Sequence, residues 1–261
     1  MNPGTLYLIP TPLGADDIAW TIPAAVRQCA AGIGHYIVEH PKTARQFLKQ
    51  IGCILPLQEI SMQVLNEHTP LKEFANLLAP LLAGNDVGLL SDAGYPAVAD
   101  PGAGLVRLAH QKNLRVVPFV GPSSILLALM ASGLNGQRFV FHGYLPAEKN
   151  ERVSKIVELE RDSIARDQTQ IFIETPYRNQ KLLESLVFTC HDVTVLCIAC
   201  NLTLASEYIS TRTVREWKHS LPELNDKPAI FLLQGNLEPS NKSSVAPGAS
   251  KIRTKGARRR P

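Results

Sequence analysis

The sequence predicts a layered α/β protein made of two units. Apolar runs of strand length alternate with segments of helical spacing, the strand runs stop in turns rich in glycine, proline or polar residues, and the alternation starts afresh after Gly121, Pro122, Ser123 and Ser124. With 261 residues and 45% hydrophobic content, the chain has enough material for two ordinary cores.

Residues 6–9 form the first predicted strand, ended by Pro10, Thr11, Pro12, Leu13 and Gly14, because proline has no N–H for a ladder. Helical spacing follows over 23–29, then a strand over 35–38 and a helix over 43–49. One continuous helix is predicted over 71–82, followed by a strand over 87–90, a glycine- and proline-rich loop, a helix over 104–112 and a strand over 115–118. In the second unit Ser123 is placed to cap an apolar helix through 125–131, leaving free amides at its N-terminus. A strand begins at 139–142, and Val153, Ile156, Val157, Leu159 and Ile164 among charges make 151–167 an amphipathic surface helix. Strands over 170–173, 193–199 and 229–233, with a helix over 179–188, complete the unit. This reading sets domains at 1–119 and 120–238 with a tail at 239–261, and expects a ligand in the cleft between the halves.

The bulk composition excludes several classes. No apolar run nears the roughly 18 residues of a membrane span, and no basic leader precedes the first strand, so a soluble cytoplasmic protein is expected. Cys29, Cys53, Cys190, Cys197 and Cys200 are an odd, scattered set suited to reduced thiols; Cys197 and Cys200 sit in an apolar strand without a second ligand pair, and no metal is expected. The formal charge is +4, yet residues 241–261 hold seven cations and no acid, from Lys242 to Arg260, so the other twenty Lys and Arg face all 23 acids and sum to −3. The tail therefore reads as a disordered basic arm suited to a phosphate backbone such as RNA.

The chemistry gathers at strand ends, where α/β folds bind ligands. These turns are Pro10 to Gly14; Glu39, His40, Pro41 and Lys42; Gly121 to Ser124; Glu174, Thr175, Pro176, Tyr177 and Arg178; and Cys200, Asn201, Leu202 and Thr203. The most informative is the loop from Ser91 to Gly102, in which Gly94 and Gly102 permit close approach, Pro96 and Pro101 stiffen the chain, and Asp92 presents a carboxylate. None of them matches a dinucleotide-binding GxGxxG, a Walker A loop or a GxSxG elbow.

This ordered set resembles the tetrapyrrole methylase superfamily of S-adenosylmethionine-dependent methyltransferases, and within it the ribosomal RNA small subunit methyltransferase I branch, which methylates a ribose 2′-hydroxyl of 16S rRNA. The likeness runs from about Thr5 to Gly235. Its most specific part is Ser91-Asp92-Ala93-Gly94-Tyr95-Pro96 through Asp100-Pro101-Gly102, similar to the branch's SDAGxPxxxDPG. The resemblance implies two αβα domains with S-adenosylmethionine in the interdomain cleft, usually in a homodimer. It implies cofactor contacts from Pro10, Asp92, Ala93, Gly94, Ala97 and Val98 on one side and Ser123, Ser124, Pro176, Asn201, Leu202, Pro228 and Ala229 on the other. Departures fall where the branch has Glu-Asp-Thr-Arg (here Glu39-His40-Pro41-Lys42), Arg-Glu-Leu-Thr (here Cys200-Asn201-Leu202-Thr203) and Lys-Gly-Glu (here Lys227-Pro228-Ala229).

Methyl transfer from a sulfonium needs alignment rather than a covalent nucleophile, but a hydroxyl acceptor benefits from a base. The candidates are His68, Glu39 and Asp100; the bland alternatives are a helix-entry residue, a partner for Arg45 and a carboxylate bracing its loop before Pro101. Three readings stand: an RNA ribose methyltransferase, a methyltransferase for a small molecule such as a tetrapyrrole precursor, and a non-catalytic protein that binds S-adenosylmethionine or RNA.

Overall fold

The computed structural model describes residues 2–14 and 18–236. In the first half five parallel strands, β1 (Thr5–Ile9), β2 (His35–Val38), β3 (Ser61–Val64), β4 (Val87–Leu90) and β5 (Arg115–Pro118), form a sheet in the order β3-β2-β4-β1-β5. Side chains alternate across a strand, so Leu6, Ile37, Val87 and Leu89 face one layer while Ile9, Tyr36, Val38 and Leu90 face the other. The second layer is α1 (Ile18–Thr21), α2 (Ala24–Ala31) and α3 (Pro41–Ile51); the first is α4 (Phe74–Leu77), α5 (Ala79–Leu82) and α6 (Gly102–Gln111). Central β4 is buried on both faces, which is why it reads as an unbroken apolar run.

The predicted helix over 71–82 is instead a 3₁₀ turn (Leu71–Glu73) followed by the short α4 and α5. Pro80 is the cause: it has no N–H to give the preceding turn, so the chain restarts with proline in the first turn of α5.

The second sheet holds β6 (Phe139–Tyr144), β7 (Thr169–Ile173), β8 (Val195–Cys200), β9 (Tyr208–Thr213) and β10 (Ala229–Gln234), ordered β6-β7-β10-β8-β9. β6 and β7 run parallel; β10 is antiparallel to both neighbours, and β9 to β8. Phe172, Phe231, Leu196 and Leu233 pack under α8 (Lys149–Arg166), α9 (Asn179–Thr189) and α10 (Val214–Trp217), and Phe172 stacks on Phe231 with centroids 6.0 Å apart. Each such buried side chain contributes about 1.5–3 kcal/mol. The opposite face is covered by α7 (Ser124–Ser132), whose N-cap Ser123 accepts from the Leu126 N–H, and by Leu13, which reaches across from the first half.

The edge strands β3 and β9 escape a reading by apolar runs. Each lies against a single neighbour and carries exposed or half-buried side chains throughout. Among the described residues no helix is long and apolar enough to cross a membrane. All five cysteines are free, and burial pushes the Cys197 and Cys200 thiols up, away from reactive thiolate. The tail expected over 239–261 lies outside the described residues.

Candidate active site

The sheet register builds the first wall of the site. Leu90 is level with Ile9 on one side and Val38 on the other, so the residues that follow them, Ser91, Pro10 and Glu39, emerge together at the carboxyl ends of three adjacent parallel strands. Thr11 and Gly94 exchange two backbone hydrogen bonds, of 2.9 and 3.1 Å, and the Thr11 hydroxyl donates to the Ser91 carbonyl. Gly94 holds φ +74, a left-handed conformation suited to glycine.

Beyond Gly94 the loop is held by one carboxylate. Asp100 Oδ1 accepts from the Ala97 N–H at 2.8 Å and the Gly102 N–H at 2.6 Å, while Ala97 and Ala99 sit at φ 66 and 58. Two non-glycine residues in this region, fixed by one side chain, mark a strained and over-determined segment of the kind found at functional sites. A Cβ on Gly102 would lie 2.8 Å from that same Asp100 oxygen, so the third residue of the Asp100-Pro101-Gly102 sequence has no room for a side chain. Tyr95 extends the loop to the other half: its hydroxyl donates to the Gly121 carbonyl at 2.8 Å and accepts from the Gly121 N–H at 3.1 Å.

The antiparallel insertion of β10 supplies the opposing wall. Ala229 pairs with Cys200 and Ile230 with Ile173, which sets the start of β10 beside the ends of β7 and β8. Glu174, only 1% exposed at its side chain, accepts from the Thr175 N–H and from Arg178 at 2.7 and 2.9 Å, fixing the turn that carries Pro176.

Between these walls lies a cleft of about 370 Å³, within the range of small-molecule sites. Of the residues singled out from the sequence, Glu39, Asp92, Ala93, Gly94, Val98, Asp100, Ser123, Ser124, Pro176, Leu202, Pro228 and Ala229 line it. Pro10, Ala97, Asn201 and His68 do not. Pro10 packs where a Gly121 Cβ would fall, Ala97 serves the loop through its N–H, and Asn201 turns its amide to the Ser206 hydroxyl. His68 follows edge strand β3 in the turn before the 3₁₀ segment Leu71–Glu73, is 83% exposed and lies 3.5 Å from Glu67. The apolar lining from Phe141, Tyr144, Ile173 and Ile230 was not singled out; it lies inside strands, whose inward positions only the strand pairing reveals.

Three polar groups meet at the cleft edge. The Asp92 N–H donates to Glu39 Oε2 at 3.3 Å, and His40 Nδ1 lies 2.6 Å from Asp92 Oδ2. Burial, and then the Asp92 charge, hold the Glu39 carboxyl above its ordinary value; burial does the same for Asp100 against the pull of its two N–H donors. Glu39, His40 and Asp92 each offer a ligand atom within 4.8 Å of the others, close enough to face one cation. For an organic cofactor the donor set is mixed: carboxylates for an amine or ribose hydroxyls, the amides and hydroxyls of Ser123 and Ser124 at the α7 N-terminus for a carboxylate, and an apolar side for a flat ring.

No family model matches the sequence. The chain is 28% identical over 252 residues to ribosomal RNA small subunit methyltransferase I of Haemophilus influenzae, covering 95% of this chain and 84% of that protein. It is 31% identical to the protein of the same name from Xylella fastidiosa, covering 82% and 74%, and 32% identical to that of Escherichia coli O157:H7, covering 82% and 70%. Among solved structures, the methyltransferase CobJ superposes with a TM-score of 0.59 at 17% identity, covering 90% of this chain and 95% of the other, a likeness of fold.

Proposed function

Because this chain belongs to the ribosomal RNA small subunit methyltransferase I family, we propose that it transfers a methyl group from S-adenosylmethionine to a ribose 2′-hydroxyl of 16S rRNA. The single observation that carries the reading is the cleft itself. It is lined by three strand-end turns of the first half, the Ser91 to Asp100 loop foremost, and by the α7 N-terminus and strand ends of the second, with the mixed donor set that an amino acid joined to a nucleoside requires.

In this reading domains at 1–119 and 120–238 close on S-adenosylmethionine, which supplies an activated methyl group on a sulfonium. Asp92 accepts from an amine or ribose hydroxyl, Ser123 and Ser124 receive the carboxylate at the α7 N-terminus, and Leu202, Pro228 and Ala229 flank the ring. Asp100 keeps the Ala97 to Gly102 segment in place. Alignment of this kind supplies on the order of 7–11 kcal/mol of a bimolecular barrier, so no covalent nucleophile is called for. The basic residues from Lys242 to Arg260 add salt-sensitive attraction to RNA, a second copy of the chain completes a homodimer, and the enzyme works in the cytoplasm.

Two measurements test this. Calorimetric titration with S-adenosylmethionine should show binding by the wild type and its loss in Asp92→Ala. Mass spectrometry of rRNA nucleosides with and without the gene should show one 2′-O-methyl nucleoside disappear. Unchanged rRNA from a chain that binds the cofactor would redirect the acceptor to a small molecule; no binding at all would remove every cofactor-based reading.

A further inference from the structure

We propose that His40 is the general base of this site, held by Asp92 so that its second ring nitrogen takes the proton of the acceptor hydroxyl. The inference rests on the methyl-transfer reading above. An ionised carboxylate only accepts hydrogen bonds, so at 2.6 Å from Asp92 Oδ2 it is His40 Nδ1 that carries the proton and donates. Of the two neutral tautomers this is the one whose Nε2 carries the lone pair. The side chain is 64% exposed, which leaves Nε2 open to an incoming group. Here Asp92 plays the orienting part that the third member of a catalytic triad plays for its histidine.

The position is right as well. A second pocket of about 210 Å³ adjoins the main cleft, and Leu13, Ser91, Asp92 and Ala93 line both. Its far wall is α3, through Thr43 and Phe47, and His40 is the N-cap of that helix. His40 lines neither space itself; it is tied to both through Asp92, its hydrogen-bond partner, which lines the two. The titratable groups facing it are Glu39 from its own segment and Asp92 from the loop after β4, with Asp100 behind them. The short separation also argues against a shared cation, since two ligands on a tetrahedral zinc stand about 3.3 Å apart.

As the acceptor oxygen forms its bond to the methyl carbon, its proton passes to His40 Nε2; the electron pair of the broken carbon–sulfur bond stays on sulfur, and the imidazolium returns its proton to solvent.

His40→Asn keeps a side-chain N–H for Asp92 but has no base. With small ribosomal subunits lacking the modification as acceptor, its turnover should fall by about 10²- to 10⁴-fold while the Kd for S-adenosylmethionine stays unchanged. Added imidazole should restore part of the turnover of His40→Gly, which a structural role would not allow. Independently of activity, ¹⁵N NMR of the full chain should show the Nδ1–H tautomer at His40, and Asp92→Asn should redistribute it. Undiminished turnover in His40→Asn, an Nε2–H tautomer in the wild type, or activity lost to EDTA and restored by Mn²⁺ would each overturn the assignment. Failure of the wild type to bind S-adenosylmethionine defeats the underlying reading instead.

Discussion

Asp100→Ala should open the cleft loop without unfolding the protein. Hydrogen bonds to a charged acceptor are worth about 1.5–3 kcal/mol each when buried, and the loop is half exposed, so the two from Ala97 and Gly102 together contribute about 2–4 kcal/mol. Against them stands the cost of Ala97 and Ala99 at φ 66 and 58, roughly 1–2 kcal/mol per residue for a side chain in the left-handed region. The two sums are of equal size, so the native loop persists because of the carboxylate. Without it the strain is uncompensated by about 2 kcal/mol, and the competent loop falls to a few per cent of the population, weakening S-adenosylmethionine roughly thirtyfold. Titration calorimetry reads the affinity directly, with circular dichroism as the control for folding. A second change sharpens the test: Ala97→Gly in the Asp100→Ala background removes one left-handed penalty and should recover about fivefold in affinity. An unchanged Kd in folded Asp100→Ala refutes the bracing role, and absence of recovery by Ala97→Gly refutes the strain argument.

Gly121→Ala would place a Cβ 2.3 Å from Pro10 Cγ and 2.5 Å from its Cβ. Overpacking of this kind costs about 1–3 kcal/mol and, because Gly121 also binds Tyr95, should lower both Tm and cofactor affinity; a thermal melt identical to wild type would contradict it. Glu174→Ala strips a buried carboxylate from Arg178 and the Thr175 N–H and should cost about 3 kcal/mol in urea unfolding, with Glu174→Gln milder because its carbonyl still accepts. Glu39 has its pKa raised in the fold, so its contribution to stability is present below the unfolded value and is lost as pH rises through the folded one. Glu39→Gln should therefore be at least as stable as wild type at pH 7 and lose any advantage below about pH 4, near the unperturbed glutamate value, as read by denaturation at both pH values.

How much of this was legible in the sequence differs between the two walls of the cleft. The wall from the first half follows from local signals. An apolar run that ends in Ser91-Asp92-Ala93-Gly94 announces a strand and its turn, and parallel strands bring their carboxyl ends together whatever their order. The wall from the second half depends on β10 running antiparallel between β7 and β8, and nothing local in residues 229–234 states its direction. The lining by Phe141, Tyr144 and Ile230 was hidden for that reason. Gly143, at φ +67, interrupts the β6–β7 register between Phe141 and Tyr144, letting both residues reach the cleft against the strict alternation of a regular strand. The helix expected over 71–82 breaks in two because the missing N–H of Pro80 outweighs its apolar periodicity.

The positions at which the chain departs from its family's motifs take on a different meaning in three dimensions. In sequence they lie apart from the glycine-rich loop, as though the donor side were kept and only a distant acceptor side had changed. In space the Pro228–Ala229 pair lines the same cleft as Asp92, and His40 is hydrogen-bonded to that carboxylate. Where the family motif has an aspartate, a carboxylate at position 40 would stand against Glu39 and Asp92 and repel both; an imidazole donates a hydrogen bond instead. Replacing a charged residue of the motif with Pro228–Ala229 on the opposite wall makes that wall less polar at the same depth. The changes at His40 and at Pro228–Ala229 therefore bear on one space in a consistent direction: fewer like charges around the donor, and an imidazole bonded to a carboxylate that lines it. Divergence of that form is what a retained methyl donor with an adjusted acceptor requires, whereas decay of the site would have no reason to leave Asp100, Gly102 and the Tyr95–Gly121 clasp in working geometry.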